Sequence, residues 1–334
     1  MKLRYPSYFH QFSCIAAACP DSCCKEWDVL VDREAAAIYR ALPGDLGEDL
    51  RRCLYQEDGE WYFSITEGRC PMWRRDGLCR IQAQLGHDAL CKTCRDFPRL
   101  THDYGDFVER GLELSCPEAA KFILQGNTGW LEEEIPGGEM PEYEAADMEI
   151  LLRCREVMLT ILADQHYSVP EALALALLYG YRAQNELDGG EPADWMPAEE
   201  LAFGRSVAKI GACRGIADFY AGLEILNAGW AERLASPCGG GEWDERLRKM
   251  AIYGMERYFL QAISDFDLVG RVKMVVLSCI LVWYLGGELL ETAQSYAKEI
   301  ENNDDNVEAV LDGAYTHPAL TDDRILGILL EATL

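Results

Sequence analysis

The sequence predicts an α+β fold in two parts: a cysteine-rich domain of short strands and helices over residues 1–124, then an all-α domain over 145–334. Three observations predict it. Ten of the 14 cysteines fall within the first 116 residues. The apolar pattern changes after them, from short alternating runs to the i, i+3, i+4, i+7 spacing of helix faces. The charge divides in the same place: residues 1–120 carry 15 Lys+Arg against 20 Asp+Glu, and residues 121–334 carry 16 against 37.

Along the first part, Trp27 to Asp32 alternates with Trp27, Val29 and Val31 on one side, a strand signal. Asp32 then caps a helix from Glu34 to Leu42 that Pro43-Gly44 ends. Trp61 to Ile65 and Phe107 to Leu114 read as further strands, and Asp76-Gly77 as a tight turn. A short helix follows Cys116-Pro117 and runs through Leu124. Residues 125–144 are rich in Gly, Pro and Glu with no apolar period, which reads as a linker. Beyond it, Ile150, Leu151, Cys154, Val157, Met158, Ile161 and Leu162 mark one helix face, and Pro170 opens a helix that reaches Leu187. Further helices are expected over 198–212, 215–228, 243–264, 267–286, 289–301 and 318–332. No tandem period is present.

Composition narrows the function. A net charge of −26 argues against a nucleic-acid partner, because binding phosphate needs a basic face. The acidic helical part reads as a solubility surface, with attraction of a basic partner as the functional alternative. No apolar run follows the basic residues at the start, so no secretory signal is expected. The longest apolar stretch, Met274 to Leu285, is too short to span a bilayer and reads as a core helix. A cytoplasmic protein is the expectation.

The cysteines carry the chemistry. One group is Cys14, Cys19, Cys23 and Cys24; a second is Cys70, Cys79, Cys91 and Cys94, with Cys116 after it and Cys53 between the groups. Closely spaced thiols let short loops bring several sulfurs to one metal centre. Cys19, Cys70 and Cys116 each precede a proline, which holds them extended and adds no N–H beside a buried centre. A disulfide framework would need an oxidising compartment. Cys91-x2-Cys94 alone has the paired form typical of structural zinc, so the irregular spacings favour iron–sulfur with zinc as the alternative. Cys23 and Cys24 point apart in an extended chain and are expected to serve different sites, or one to be unligated. Cys154, Cys213, Cys238 and Cys279 read as single buried thiols. His10, His87 and His102 read as surface or hydrogen-bonding residues, with His10, four residues before Cys14, the one exception as a candidate ligand.

Phe12-Ser13-Cys14, Cys19-Pro20-Asp21-Ser22-Cys23-Cys24-Lys25-Glu26-Trp27, Cys70-Pro71-Met72, Gly77-Leu78-Cys79-Arg80-Ile81, Cys94-Arg95-Asp96-Phe97-Pro98-Arg99 and Leu114-Ser115-Cys116-Pro117-Glu118 together resemble the flagellin lysine-N-methylase family. The resemblance covers about residues 5–124. It implies methyl transfer to lysine ε-amines of flagellin, a cysteine-held iron–sulfur centre of the 4Fe-4S type, and S-adenosylmethionine as donor. The ligands it implies are Cys14, Cys19, Cys23, Cys24, Cys70, Cys79, Cys94 and Cys116; Cys53 and Cys91 fall outside it. Eight positions exceed the four thiolates of one cluster, which leaves structural roles or a second site for some.

No strand followed by G-x-G-x-x-G is present, and Gly239-Gly240-Gly241 is the weak candidate for a cofactor loop. The C-x3-C-x2-C pattern of radical S-adenosylmethionine enzymes is also missing, since position 26 is Glu. Methylation needs a neutral lysine amine, hence desolvation or a proton acceptor, and no catalytic residue is assigned. Two other functions remain open at this stage: a metalloprotein whose cysteine cluster stabilises a protein-binding module, and an iron–sulfur redox enzyme.

Overall fold

The computed structural model describes residues 1–331 apart from 28, 127, 128, 139, 193 and 194. Seven strands form two sheets: β1 (Lys2–Pro6), β2 (Val29–Val31), β3 (Leu54–Glu57), β4 (Glu60–Phe63), β5 (Arg99–Asp103), β6 (Phe107–Leu112) and β7 (Trp130–Glu134). The larger sheet has the order β5-β6-β1-β7, and the smaller is the antiparallel β2-β4-β3. β1 runs parallel to β6 and antiparallel to β7. A parallel pair needs a crossover connection. Here that crossover is residues 7–106, which hold nine of the ten N-terminal cysteines.

The strands expected at 27–32, 61–65 and 107–114 correspond to β2, β4 and β6; residue 28 lies outside the described residues. The stretch 125–144 differs from the linker expected there, because it contains β7. β7 pairs with β1 from Lys2 opposite Glu134 to Pro6 opposite Trp130. Glu132 takes Lys2 at 3.3 Å and Arg4 at 2.9 Å, so the acidic composition that reads as a linker supplies cross-strand ion pairs. Residues 127, 128 and 139 of that stretch lie outside the described residues.

In the crossover, α1 (Arg33–Ala41) starts where Asp32 Oδ1 accepts from the Ala35 N–H at 2.9 Å, an N-cap in the expected position. α2 (Gly44–Cys53), α3 (Arg80–Leu85) and α4 (Lys92–Asp96) follow. These elements enclose a small core of Val29, Val31, Tyr39, Leu50, Phe63, Met72 and Ile81, closed by Cys53, Cys70 and Cys91. Gly77 turns with φ +80°, its N–H donating to Arg74 O at 3.0 Å.

α5 (Pro117–Gln125) and the larger sheet pack into the main core instead. Leu3, Tyr5, Val108, Leu112 and Ile123 belong to one cluster with Met158, Leu175 and Leu277. Glu109 of β6 is buried and fixes this junction, receiving both Arg155 guanidinium nitrogens at 2.7 and 2.6 Å and Arg4 at 3.2 Å. Cores therefore do not divide at residue 124. The sheet formed by both ends of the cysteine-rich part is the floor of the helical part.

The helical part comprises α6 (Ala145–Ala163), α7 (Val169–Leu187), α8 (Pro197–Val207), α9 (Cys213–Ala221), α10 (Ala228–Ala235), α11 (Glu245–Tyr258), α12 (Leu268–Leu285), α13 (Leu289–Tyr296), α14 (Asp304–Thr316) and α15 (Asp322–Glu331). Ser168 and Glu171 form a capping box at the start of α7. The helix expected over 215–228 is α9 alone; Asn227 caps the separate α10. α14 lies outside the expected helices; Asn303 accepts from the Asn306 N–H at 3.0 Å and begins it. The segment expected as one helix over 289–301 changes pitch: α13 passes into a π-helical turn at Ala297–Glu301. Residue 332, the end expected for the last helix, lies outside the described residues.

α12 is long and apolar enough to cross a membrane, yet it is almost wholly enclosed by the other helices. Its two cations are both partnered, Arg271 by Asp265 at 2.8 Å and Lys273 by Asp322 at 2.9 Å. It is the central helix of the core.

Candidate metal centre

Local structure gathers the cysteines, leaving Cys14 and Cys23 exposed. Cys14 lies past Phe12, and a 3-10 turn (Ala16–Ala18) brings the chain back so that the Cys19 N–H donates to Ala16 O at 3.0 Å. Ser22 Oγ accepts from the Cys24 N–H at 3.2 Å. Cys24 O then accepts from the Cys70 N–H at 2.8 Å, which joins the two cysteine groups through the backbone. Cys79, Cys91 and Cys116 are the residues immediately before α3, α4 and α5, and Cys94 lies one turn inside α4. Pro117 sits in the first turn of α5, where its missing N–H costs nothing.

The result is one cavity of about 220 Å³ whose walls include Cys14, Cys19, Cys23, Cys24, Cys79, Cys94 and Cys116. Seven of the eight cysteines implied by the resemblance therefore converge from positions up to 102 residues apart. The eighth, Cys70, is buried behind Cys24; burial pushes its thiol up to about 12, with Cys24 and Cys79 adding to the shift.

Cys23 and Cys24 do not part as an extended pair would. Their thiols share a hydrogen bond that holds Cys24 down at about 7 and Cys23 well above the usual thiol range. Cys14 and Cys116 also act on Cys23, whereas Cys24 acts on Cys70, Cys79 and Cys94. The adjacent cysteines thus stand between two subsets of thiols.

Cys91, which the spacing pairs with Cys94 and the resemblance leaves out, stands beside that partner. Its thiol is buried and shares a hydrogen bond with that of Cys94, lowering Cys91 and raising Cys94. Cys53 points into the small core, its thiol 3.4 Å from Leu50 O and pushed by burial up to about 11. Cys154 and Cys279 are fully buried as expected; Cys213 is half-buried and Cys238 is exposed, because it follows α10 in a loop rather than facing a core. His87, not His10, lines the cysteine cavity, while His10 is exposed with its ring 4.7 Å from that of Tyr5. His102 is half-buried with Nε2 lacking a partner, and burial holds its pKa below the usual imidazole value.

The helical part holds the cavity from outside. Lys298, in the π-helical turn and 4% exposed, takes Asp21 at 2.8 Å and Glu26 at 3.0 Å, and its ammonium lies 5.1 Å from the centre of the Trp27 ring. Gln294 of α13 donates to Ser115 O at 2.8 Å, and Asn302 donates to Ser115 Oγ at 3.0 Å, which fixes the chain just before Cys116. Gly239–Gly241 forms no cofactor cradle. Trp283 donates to Gly241 O at 2.9 Å and stacks on Trp243 at 4.3 Å, so the glycines let the chain pass close to that indole pair.

Among the described residues, no three His, Cys, Asp or Glu side chains already stand close enough together to grip a single ion. The donor set nonetheless fits a soft metal group, since thiols dominate the cavity wall. A four-sulfur zinc site closes on its ion at about 2.3 Å and leaves little void. A cavity of about 220 Å³ has room for a multi-atom cluster.

Over 126 residues, 36% of this chain, the sequence is 35% identical to the flagellar biosynthetic protein FliU of Salmonella muenchen, of which it covers 75%. Over the same length it is 35% identical to lysine-N-methylases of Salmonella typhimurium and Salmonella choleraesuis. The chain belongs to the flagellin lysine-N-methylase family. It spans 31% of the length of those two methylases, and 75% of the FliU chain. No family-wide sequence profile and no solved structure matches it. What sets this family member's cavity apart from an ordinary buried core is that polar residues of α13 and the π-helical turn brace it.

Proposed function

We propose that this chain transfers methyl groups to lysine ε-amines of flagellin in the cytoplasm, with S-adenosylmethionine as donor and an iron–sulfur centre in the cysteine cavity. Kinship with lysine-N-methylases carries the reaction, and the convergence of seven cysteines on one cavity carries the metal. Four of Cys14, Cys19, Cys23, Cys24, Cys79, Cys94 and Cys116 would hold the cluster and the others would line its cavity, with Cys70 and Cys91 close behind. When bound, the cluster would supply a redox-capable, Lewis-acidic centre near the reacting groups. The chain's own residues bind and desolvate the lysine, which must lose a proton before its lone pair can attack. The C–N bond then forms as the methyl–sulfur bond breaks, the electron pair returning to sulfur to leave a neutral thioether.

The test is direct. Protein purified without oxygen should contain iron and acid-labile sulfide, and should add methyl increments to unmodified flagellin as read by intact mass. Stoichiometric zinc without sulfide overturns the iron–sulfur assignment. Unchanged flagellin mass with cluster-replete protein overturns the methylase assignment. The burial of Cys70 and Cys91 within the small core favours a second reading, a binding module that the metal only stabilises. That reading expects salt-sensitive association with flagellin and no mass change.

A further inference from the structure

A second cavity, of about 260 Å³, lies against the first and is lined by Cys23, Trp27, Val29, Thr93, Cys94, Phe97, Glu113 and Asn302. Cys23, Cys94, Trp27 and Phe97 line both cavities, so a group seated here stands next to the cysteine cluster. The walls of this second cavity have a distinct chemistry. Trp27 and Phe97 form a tilted aromatic pair with ring centres 5.6 Å apart, and the indole N–H donates to Cys23 O at 2.9 Å, which ties the ring to the cysteine loop. Lys298 lies near the same indole but lines a different cavity, and Asp21 and Glu26 neutralise it. Glu113 supplies a carboxylate that receives one side-chain hydrogen bond, from Ser115 Oγ at 3.1 Å, makes no ion pair within 4 Å among the described residues, and feels the buried Arg257, itself paired with Glu301, only from farther away. Asn302, at the end of the π-helical turn, completes the wall with an amide. Such widened turns often occur where a helix meets a functional site. No Lys or Arg side chain lines this cavity.

Aromatic faces attract a cation within about 6 Å, and a carboxylate without a cationic partner attracts one more strongly. A slot that joins both, beside apolar Val29, suits a positive group on an aliphatic stem. We propose that this cavity receives the target lysine side chain, its ammonium meeting Glu113 and its methylenes lying along Trp27 and Phe97. This rests on the methyl-transfer reading for the substrate's identity. The sulfonium of the methyl donor has related chemistry and is the competing occupant.

Equilibrium binding to the full chain separates them, using three probes: unmodified flagellin, flagellin with its lysines acetylated, and S-adenosylmethionine alone. Glu113→Gln should weaken unmodified flagellin about tenfold, Glu113→Asp should recover most of that loss, and Phe97→Leu should give a smaller loss. Acetylated flagellin should bind weakly and equally to wild type and Glu113→Gln. S-adenosylmethionine affinity should not move, and circular dichroism should show each variant folded. Loss of S-adenosylmethionine affinity instead overturns the lysine assignment in favour of the sulfonium. Unchanged flagellin affinity in Glu113→Gln and Phe97→Leu, or no lysine-dependent binding by wild type, also overturns it. Failure of the methyl-transfer reading looks different: wild type would bind flagellin through its lysines, Glu113→Gln would weaken it, and no methyl group would be transferred.

Discussion

The two cores of this molecule are built on different principles. The main core joins the four-stranded sheet to α6, α7, α11 and α12 through aliphatic and aromatic side chains, with buried ion pairs such as Glu109–Arg155 and Arg257–Glu301 within it. The small core within the crossover has fourteen buried side chains among the described residues, three of them cysteines. A core that small supplies little net stability by burial, and such domains usually need a metal or another staple. The larger core can be expected to stand without the cluster and the smaller one to depend on it. The difference teaches where the proposed chemistry can sit: the part that would yield without a metal is the part that carries the clustered thiols, and the larger core braces it.

Removing ligands should break this asymmetry most severely. Cys94→Ser should lose the metal and loosen residues 14–94, while amide exchange in α7 and α12 stays slow, because metal-binding free energy is also folding free energy for the domain that binds. The resemblance alone suggests that Cys91→Ser should be milder. The shared hydrogen bond between the two thiols instead predicts comparable metal loss from both. Hydrogen exchange read by mass spectrometry, with metal analysis of the same samples, checks it. Simultaneous loosening of α7 and α12 in Cys94→Ser would show that the cores are not independent.

The brace between the cores ranks next. Lys298→Met leaves Glu26 without its cation and Asp21 with only Lys25 at 3.4 Å, and breaking a buried pair from one side costs about 3 kcal/mol. Lys298→Arg keeps the charge and should recover part of it. Urea unfolding should show the loss in the transition of the cysteine-rich region, with its loops displaced but the main core's midpoint little changed. An equal drop in both transitions would mean that Lys298 stabilises one cooperative unit.

How legible each core is follows from how local its determinants are. The Asp32 cap, the Pro117 start of α5 and the Ser168–Glu171 box are each settled within four residues, and the sequence shows them. The cysteine-rich segment is legible by spacing, which also pairs Cys91 with Cys94 where the family pattern passes Cys91 over. β1 and β7 are obscure for the opposite reason. Each becomes a strand by pairing with a segment more than a hundred residues away, and β7 is too acidic to advertise itself. Glu113 and Asn302 are the extreme case. Nothing in their neighbourhoods marks them, and they meet Cys23 and Cys94 only after the π-helical turn docks on the crossover.

The smallest expected effect concerns the main core alone and has a definite sign in pH. Glu256 of α11 receives the Trp130 indole N–H at 2.5 Å, and burial is the chief reason its carboxyl is raised from 4.5 to about 7. Glu299 is raised to about 7 as well, again chiefly by burial. A carboxyl raised in the folded state holds its proton where the unfolded chain has released it. Its contribution is therefore fully present below pH 4.5 and is lost as pH rises through about 7. Asp323, lowered to about 2 chiefly by its hydrogen bond from Lys209, has the opposite sign but acts only below its ordinary 3.8, outside this window. The two carboxyls should thus lower the stability of the main core between pH 4.5 and 7, opposed in part by His102, whose burial-lowered pKa adds stability as pH rises toward 6.5. Glu256→Gln, which keeps an acceptor for Trp130 and cannot ionise, should remove roughly 1–2 kcal/mol of that fall, with Glu299 leaving a residue of slope. Metal-stripped protein is the right sample, since ligand protonation in the crossover then cannot contribute through metal affinity. Denaturant midpoints of wild type and variant at four pH values across the window decide it: parallel curves would show that Glu256 is ionised throughout, and that the junction between β7 and α11 is wetter than its packing implies.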